Sequence, residues 1–350
     1  MKVALLGDRF ITTGVLQTAL EKAFVGSGLS FEYEYYTDDW PVEPIQQNDE
    51  VREFVGSDAE VAAKVVEAEI ILTHSAPVTQ KVIDAAPQLK VVAAARGGPV
   101  NINWQACTRR GIPVLYAPGR NSGAVAEFTV GLLLAESRSI VRAHMSLINE
   151  RHWRGDLYVH EWVGLELNSA VVGIVGLGAI GGKVARILAA FGAQILVYDP
   201  YVPTEKIETL GYQSVSLDEL LQRSDFISLH TRLTPETRGM LGEREFGLMK
   251  KSAYLINTAR GELVQHEQLY RALQERRIAG AALDVFEAEP PPPESPVYSL
   301  DNVTATTHLG GASIQAAEIG ANVAAEQVYK FISGTEPPKF CVNPEVFDRQ

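Results

Sequence analysis

Apolar positions along this chain fall into two series of strand-length runs separated by helix-period stretches. Over the first 115 residues, apolar runs at 2–6, 31–36, 69–73, 89–95 and 112–115 alternate with stretches at 13–25, 58–68, 79–86 and 103–110 whose apolar residues recur every three or four positions. That alternation predicts strands and helices in turn, a parallel α/β layout. Segment 37–56 interrupts it with Asp38, Asp39, Pro41, Pro44 and Asn48, and reads as a surface excursion. Ala117-Pro118-Gly119-Arg120-Asn121-Ser122 reads as a hinge followed by an N-cap. One long helix is predicted from Gly123 to about Glu150, with its apolar stretch Val130 to Ala135 buried in the molecule or against a second subunit.

The second series occupies about 170–307, with strands predicted at 171–175, 195–198, 226–230, 253–257, 280–285 and 303–306. A further long helix is expected from Ala312 to about Ile332, and the tail from Pro337 to Gln350 carries Phe340 and Val342 and is expected to dock.

Between the first two strands of the second series, Gly176-Leu177-Gly178-Ala179-Ile180-Gly181 opens a stretch in which Val184, Ile187, Leu188 and Phe191 lie at the spacing of one helix face. Strand, glycine turn and amphipathic helix together form the fingerprint of a dinucleotide site. In that motif the first glycine makes the tight turn, the second lets a pyrophosphate approach the backbone, and the third lets helix and strand pack closely. Asp199 ends the next strand 18 residues after Gly181, where a carboxylate accepts hydrogen bonds from ribose hydroxyls and repels a 2′-phosphate. No Arg or Lys stands between Pro200 and Pro203, so the cofactor expected is NAD.

Composition narrows the class. At 350 residues two domains are the natural expectation, and a net charge of −12 argues against a nucleic-acid partner or an anionic membrane surface. Cys107 and Cys341 show no paired spacing, Met1-Lys2 runs directly into a strand, and no apolar run approaches membrane-spanning length. A cytoplasmic enzyme in a reducing compartment is expected, with no metal: His160-Glu161 and His266-Glu267 both lack a second His at helical spacing.

Three ionisable residues follow predicted strands of the second series: Arg260 after 253–257, Glu289 after 280–285 and His308 after 303–306. Ligands of open α/β sheets bind beyond the carboxyl ends of the strands. Oxidation of a carbinol needs a base, for which His is suited; a carboxylate orients that ring and raises its pKa. A guanidinium supplies a two-pronged grip on a carboxylate.

The stretches Gly176–Gly181, Asn257-Thr-Ala-Arg-Gly-Glu262, Gly280–Phe286 through Glu289-Pro290, and Thr307-His-Leu-Gly-Gly311 resemble the D-isomer-specific 2-hydroxyacid dehydrogenases, most closely the D-3-phosphoglycerate dehydrogenase branch. The resemblance implies an NAD-dependent enzyme interconverting a D-2-hydroxy acid and its 2-oxo acid, with His308 as general acid/base, Glu289 its partner and Arg260 the substrate anchor. It further implies that Ala179 and Ile180 line the pyrophosphate, that Thr231 and Ala259 lie on the nicotinamide side, and that Asp284 meets the carboxamide. Thr258, His308, Gly310 and Gly311 complete the implied cofactor set. Gly97 and Gly98, with Asn101 just after, correspond to the family's carboxylate-binding turn.

The implied fold is two Rossmann-like or flavodoxin-like parallel-sheet domains with an active-site cleft between them, the substrate domain formed by 1–117 plus about 318–350 and the NAD domain by 118–317. A homodimer through the nucleotide-domain helices is implied as well. Where phosphoglycerate enzymes commonly place an Arg, this chain has His74 and Ser75, while Arg96 stands before Gly97, either to read a second anionic group, as in a phosphorylated or sugar-derived acid such as 3-phosphoglycerate, or to form a structural salt bridge. Formate or phosphite oxidation and an NAD-sensing co-repressor of the same fold are the alternative readings; formate-oxidising relatives pair the His with Gln, where this chain has Glu289.

Overall fold

Short runs of Val, Ile, Leu and Ala, flanked by glycine and polar turns, form parallel strands in both halves of the computed structural model, which describes residues 1–40, 45–160 and 162–349. Pro41 and Pro44 of the expected excursion, Glu161 and Gln350 lie outside the described residues. The chain divides into two compact units, one of Met1–Asn121 together with the chain from Ala312 onward, the other Ser122–Gly311.

The first unit contains β1 (Lys2–Asp8), β2 (Glu32–Asp38), β3 (Gln46–Gln47), β4 (Arg52–Phe54), β5 (Ile70–Thr73), β6 (Val91–Ala94) and β7 (Val114–Tyr116). Five of these form a parallel sheet in the order β2-β1-β5-β6-β7, while β3 and β4 pair antiparallel on their own, a hairpin the apolar pattern does not announce. Alternate residues feed two cores: Ala4, Leu6, Ile71 and Val92 on one face, Val3, Leu5, Ile70 and Leu72 on the other. The helix Ile314–Ser333 covers the second face with Ala317, Ala321, Ala324 and Val328, small side chains that let it lie close to the sheet. The tail docks along edge strand β7: Val342 N–H donates to the Val114 carbonyl at 2.9 Å, Tyr116 N–H to that of Phe340 at 3.1 Å. An exposed sheet edge is thereby covered.

The second unit carries β8 (Val171–Val175), β9 (Gln194–Tyr198), β10 (Gln213–Ser214), β11 (Phe226–Leu229), β12 (Tyr254–Asn257), β13 (Gly280–Leu283) and β14 (Val303–Ala305). All are parallel, in the order β10-β9-β8-β11-β12-β13-β14. Strand order reverses direction at β8, so the β8/β11 junction is the topological switch point beside which nucleotides bind.

Two expectations need correction. The single helix over 123–150 is two helices, Ser122–Ser137 and Ile140–Asn149, broken where Ser139 turns left-handed at φ 52°. The Gly164 backbone lies against the Ser137 carbonyl, where a Cβ on Gly164 would overlap it, so the next helical turn has no room. Val130 and Leu133 are buried in the core of this unit. Phe191, expected on the buried face of the helix after the glycine turn, caps that helix and is exposed; Val184 and Leu188 are the buried residues.

Candidate active site

The glycine turn after β8 is shaped by contacts that side chains would destroy. Gly176 sits at φ 97°, where a Cβ would lie 2.9 Å from the Thr231 nitrogen. At Gly181 a Cβ would run into the Gly176 carbonyl oxygen, whereas at Gly178 it would meet no atom within 4 Å. The turn is therefore closed on its inner side and open on its outer side, over exposed Ala179 and half-buried Ile180, where the helix Gly181–Ala190 starts. A diphosphate fits such a cradle, since a helix N-terminus favours anions. Asp199, just beyond β9, accepts the Leu177 N–H at 2.7 Å and the Tyr201 N–H at 2.9 Å, which ties the acid to the glycine turn.

Beyond β12, Asn257 folds the chain back on itself: its Oδ1 accepts the Ala259 N–H at 3.1 Å and its Nδ2 donates to the Arg260 carbonyl at 2.9 Å. The Arg260 side chain is thereby presented to solvent, with Nη1 donating to the Ala259 carbonyl at 2.6 Å. Gly261 packs so tightly on the Phe286–Glu287 backbone that a Cβ there would overlap it, so the Arg260 and Glu289 loops are held together. Thr258 is buried, its hydroxyl 2.7 Å from that of Thr129; because Thr129 donates to the Val125 carbonyl, Thr258 is the donor of the pair.

Glu289 and His308 meet. Oε2 of Glu289 lies 2.7 Å from Nδ1 of His308, while Oε1 accepts the Phe286 N–H at 3.0 Å. Glu289 holds the His308 pKa above the ordinary histidine value, against the opposing pull of desolvation. Desolvation would raise the Glu289 pKa, but the His308 hydrogen bond and charge, the Phe286 N–H and the Arg260 charge together hold it low. Asp284, buried after β13, accepts from Thr306, Leu309 and Gly310 and so shapes the His308 loop; Gly310 is buried in that loop and Gly311 half-buried. Thr231 follows β11 and is half-buried.

In the first unit the expected residues divide. Oδ2 of Asp8 lies 2.6 Å from Nδ1 of His74 and also takes the Ser75 hydroxyl; Oδ1 accepts the Phe10 and Ile11 N–H groups, each at 2.8 Å. Nε2 of His74 is 3.2 Å from Nη2 of Arg120. A guanidinium only donates, so Nε2 accepts and Nδ1 carries the proton toward Asp8. Burial pushes the His74 pKa below the ordinary histidine value, against the opposing pull of Asp8. Asn101 is buried, its Nδ2 spent on the carbonyls of His74 and Ala76. Arg96 forms an ion pair with Glu53, whereas exposed Gly97 and half-buried Gly98 have open space where a Cβ would be.

A sequence model described as "D-isomer specific 2-hydroxyacid dehydrogenase, NAD binding domain" matches residues 130–310. The chain belongs to the D-isomer specific 2-hydroxyacid dehydrogenase family. Its second unit is an NAD-binding domain. The chain is 42% identical over 277 residues to the D-3-phosphoglycerate dehydrogenase of Methanocaldococcus jannaschii, covering 79% of this chain and 52% of that protein. It is 43% identical to the glyoxylate reductase of Thermofilum pendens over 76% of this chain and 78% of that one. The match thus spans about half the length of the phosphoglycerate relative. A crystal structure of a Thermus thermophilus protein, 31% identical, superposes with a TM-score of 0.75 over 98% of this chain and 100% of its own.

Asp8 and Arg120 escaped the sequence reading of this family member. Asp8 ends β1 and Arg120 stands in the segment read as a hinge; their meeting at His74 depends on sheet order. The available signal was position, since Asp8 and His74 both follow apolar runs that become neighbouring parallel strands. Among the described residues no group of three or more His, Cys, Asp or Glu is placed to hold a metal ion, and no helix is long and apolar enough to cross a membrane.

Proposed function

We propose that this chain interconverts a D-2-hydroxy acid and its 2-oxo acid, with His308 as general acid/base, Glu289 as its orienting partner and Arg260 as the anchor for the substrate carboxylate. The observation that carries this reading is the 2.7 Å contact between His308 Nδ1 and Glu289 Oε2 beyond the carboxyl ends of the sheet. With Nδ1 committed to Glu289, the remaining ring nitrogen, Nε2, exchanges a proton with the substrate hydroxyl oxygen. NAD, when bound, supplies the acceptor for the substrate hydride. Glu289 stabilises the imidazolium formed as the hydroxyl proton arrives, and Arg260 offers planar paired N–H groups to the carboxylate common to all such acids. Gly176, Gly178, Ala179, Ile180 and Gly181 would hold the diphosphate, and Asp199 the ribose.

The same reading places the protein in the cytoplasm as a homodimer. Both cysteines are free thiols, as a reducing compartment keeps them. On and after the helix Ile140–Asn149, the large apolar side chains of Ile140, Ile148, Trp153, Tyr158, Trp162 and Leu165 are exposed, which is what a second copy of the chain would cover. A screen of glyoxylate, hydroxypyruvate and phosphorylated 2-oxo acids, following NADH absorbance, tests the activity: oxidation of NADH by at least one acid is expected. NADH binding without turnover of any acid would overturn the reading and leave an NAD-sensing protein.

A further inference from the structure

We propose that Arg120 reads a second anionic group on the substrate, so that the preferred acids carry a carboxylate or phosphate besides the carboxylate at C1. The inference rests on the dehydrogenase reading above and adds to it a residue that no sequence motif singles out.

Arg120 is built into the first unit as an anion receptor. Its guanidinium lies over the Phe10 ring at 5.5 Å, and its stem packs on the backbone of Gly320, where a Cβ would sit 2.7 Å from Arg120 Cδ. Among the described residues no carboxylate forms an ion pair with it. Asp8, the acid of the cluster, has its oxygens taken by His74, Ser75, Phe10 and Ile11. Of the five N–H groups an arginine carries, one goes to His74 Nε2 and one, at 3.4 Å, to the Ala316 carbonyl. Nε is buried without an acceptor. A buried donor in that state is costly unless a ligand supplies the acceptor.

The contacts around the arginine tie it to the strand end at Ala95. The Cβ position of Gly320 that meets Arg120 is also 2.7 Å from the Ala95 carbonyl, so the arginine stem borders the strand end leading into Gly97 and Gly98. Ala117, three residues before Arg120, donates its N–H to the Arg96 carbonyl at 2.9 Å and ties the two segments together. Gly97 and Gly98 leave open space where a Cβ would be, and the guanidinium of Arg120 is held by the chain from Asp8 through His74. A fork of N–H groups fixed in this way suits planar carboxylate or tetrahedral phosphate oxygens. Arg96, the residue the sequence pointed to, pairs with Glu53.

The test compares wild type with Arg120→Met and Arg120→Lys on glyoxylate and hydroxypyruvate, which carry one anionic group, and on 2-oxoglutarate and 3-phosphooxypyruvate, which carry two, at saturating NADH. Methionine keeps the apolar stem; lysine keeps the charge but not the fork. Arg120→Met is expected to lower kcat/KM for the favoured dianionic acid by about ten- to a hundredfold, chiefly through KM, and to affect the monoanionic acids at least tenfold less. Arg120→Lys should recover part of that loss. The dianion that loses more identifies carboxylate or phosphate as the group read. Equal losses on all four acids, or a loss carried by kcat alone, would overturn the proposal. If Arg120→Met fails to fold, the same comparison on Arg120→Lys decides it. If wild type turns over none of the acids, the dehydrogenase reading fails by itself, and calorimetric titration of both dianions into NADH-saturated protein decides the anion site: binding weakened by Arg120→Met upholds it, and unchanged or absent binding sinks it.

Discussion

The carbonyl of Asp284 accepts the backbone N–H of His308 at 3.0 Å, and the carboxylate of the same residue accepts the N–H groups of Leu309 and Gly310, each at 2.8 Å. One buried acid thus fixes the main chain at the proposed base and at the two residues after it. Asp284→Ala leaves buried donors unpaired and is expected to cost about 3 kcal/mol or more of stability, seen as a lower urea midpoint. Displacement of His308 should also lower kcat by about tenfold or more. Unchanged stability would show that the loop is held by something else.

Glu289→Gln removes the charge that raises the His308 pKa. The group titrates at lower pH in the variant, so both activity limbs move to the acid side: the rise of hydroxy-acid oxidation, which needs neutral His, and the fall of 2-oxo-acid reduction, which needs protonated His. The stability the pair adds is complete below the unfolded histidine pKa and is lost as pH rises through the raised folded value; at a half-exposed site it is small. An unmoved pH profile of kcat/KM would remove Glu289 from its role.

Asp199→Ala does two things at once. It removes the carboxylate expected to exclude a 2′-phosphate, and it frees the Leu177 N–H in the glycine turn. The NADH to NADPH ratio of kcat/KM should fall by about tenfold or more, since a charge-assisted hydrogen bond is worth roughly 1.5–3 kcal/mol. A constant ratio would place the ribose elsewhere.

Two glycine substitutions should behave in opposite ways. Gly261→Ala drives a methyl group into the Phe286 carbonyl and is expected to destabilise by about 2 kcal/mol while lowering activity, because the Arg260 and Glu289 loops must part. Gly97→Ala meets open space and should change stability by no more than about 0.5 kcal/mol. Paired melting curves check both.

Ile148→Asp and Trp162→Asp place charge in the exposed apolar surface and should shift sedimentation from dimer to monomer without changing near-ultraviolet ellipticity beyond the loss of one indole. A monomeric wild type would end the dimer proposal.

What the sequence revealed follows from which interactions are local. The strands, the glycine turn and the helix after it are encoded within about 30 residues, so periodicity and spacing display them. Arg260, Glu289 and His308 could be singled out because each follows a strand, and parallel topology collects strand ends on one edge of a sheet. The helix break at Ser139 stayed hidden because its cause, Gly164, lies 25 residues on and acts through backbone contact. Likewise β10 spans two residues, too short for an alternation to register. The chain from Asp8 to His74 to Arg120 joins residues 66 and 46 positions apart, and His74 alone could not reveal that its neighbours would occupy both ring nitrogens.

His308 itself sits at φ 58°, a left-handed conformation that L-residues adopt at a cost and that asparagine tolerates better. Replacing it with asparagine relieves part of that backbone cost and gives up only a half-exposed ion pair, so the His308→Asn protein should melt no lower than wild type while losing its acid/base group. Selection for thermal robustness alone would therefore drift toward an inert protein at this position. On the proposed reading, what keeps a histidine there is turnover, and the proposed acid/base group rides on a piece of backbone that folding by itself has no reason to prefer.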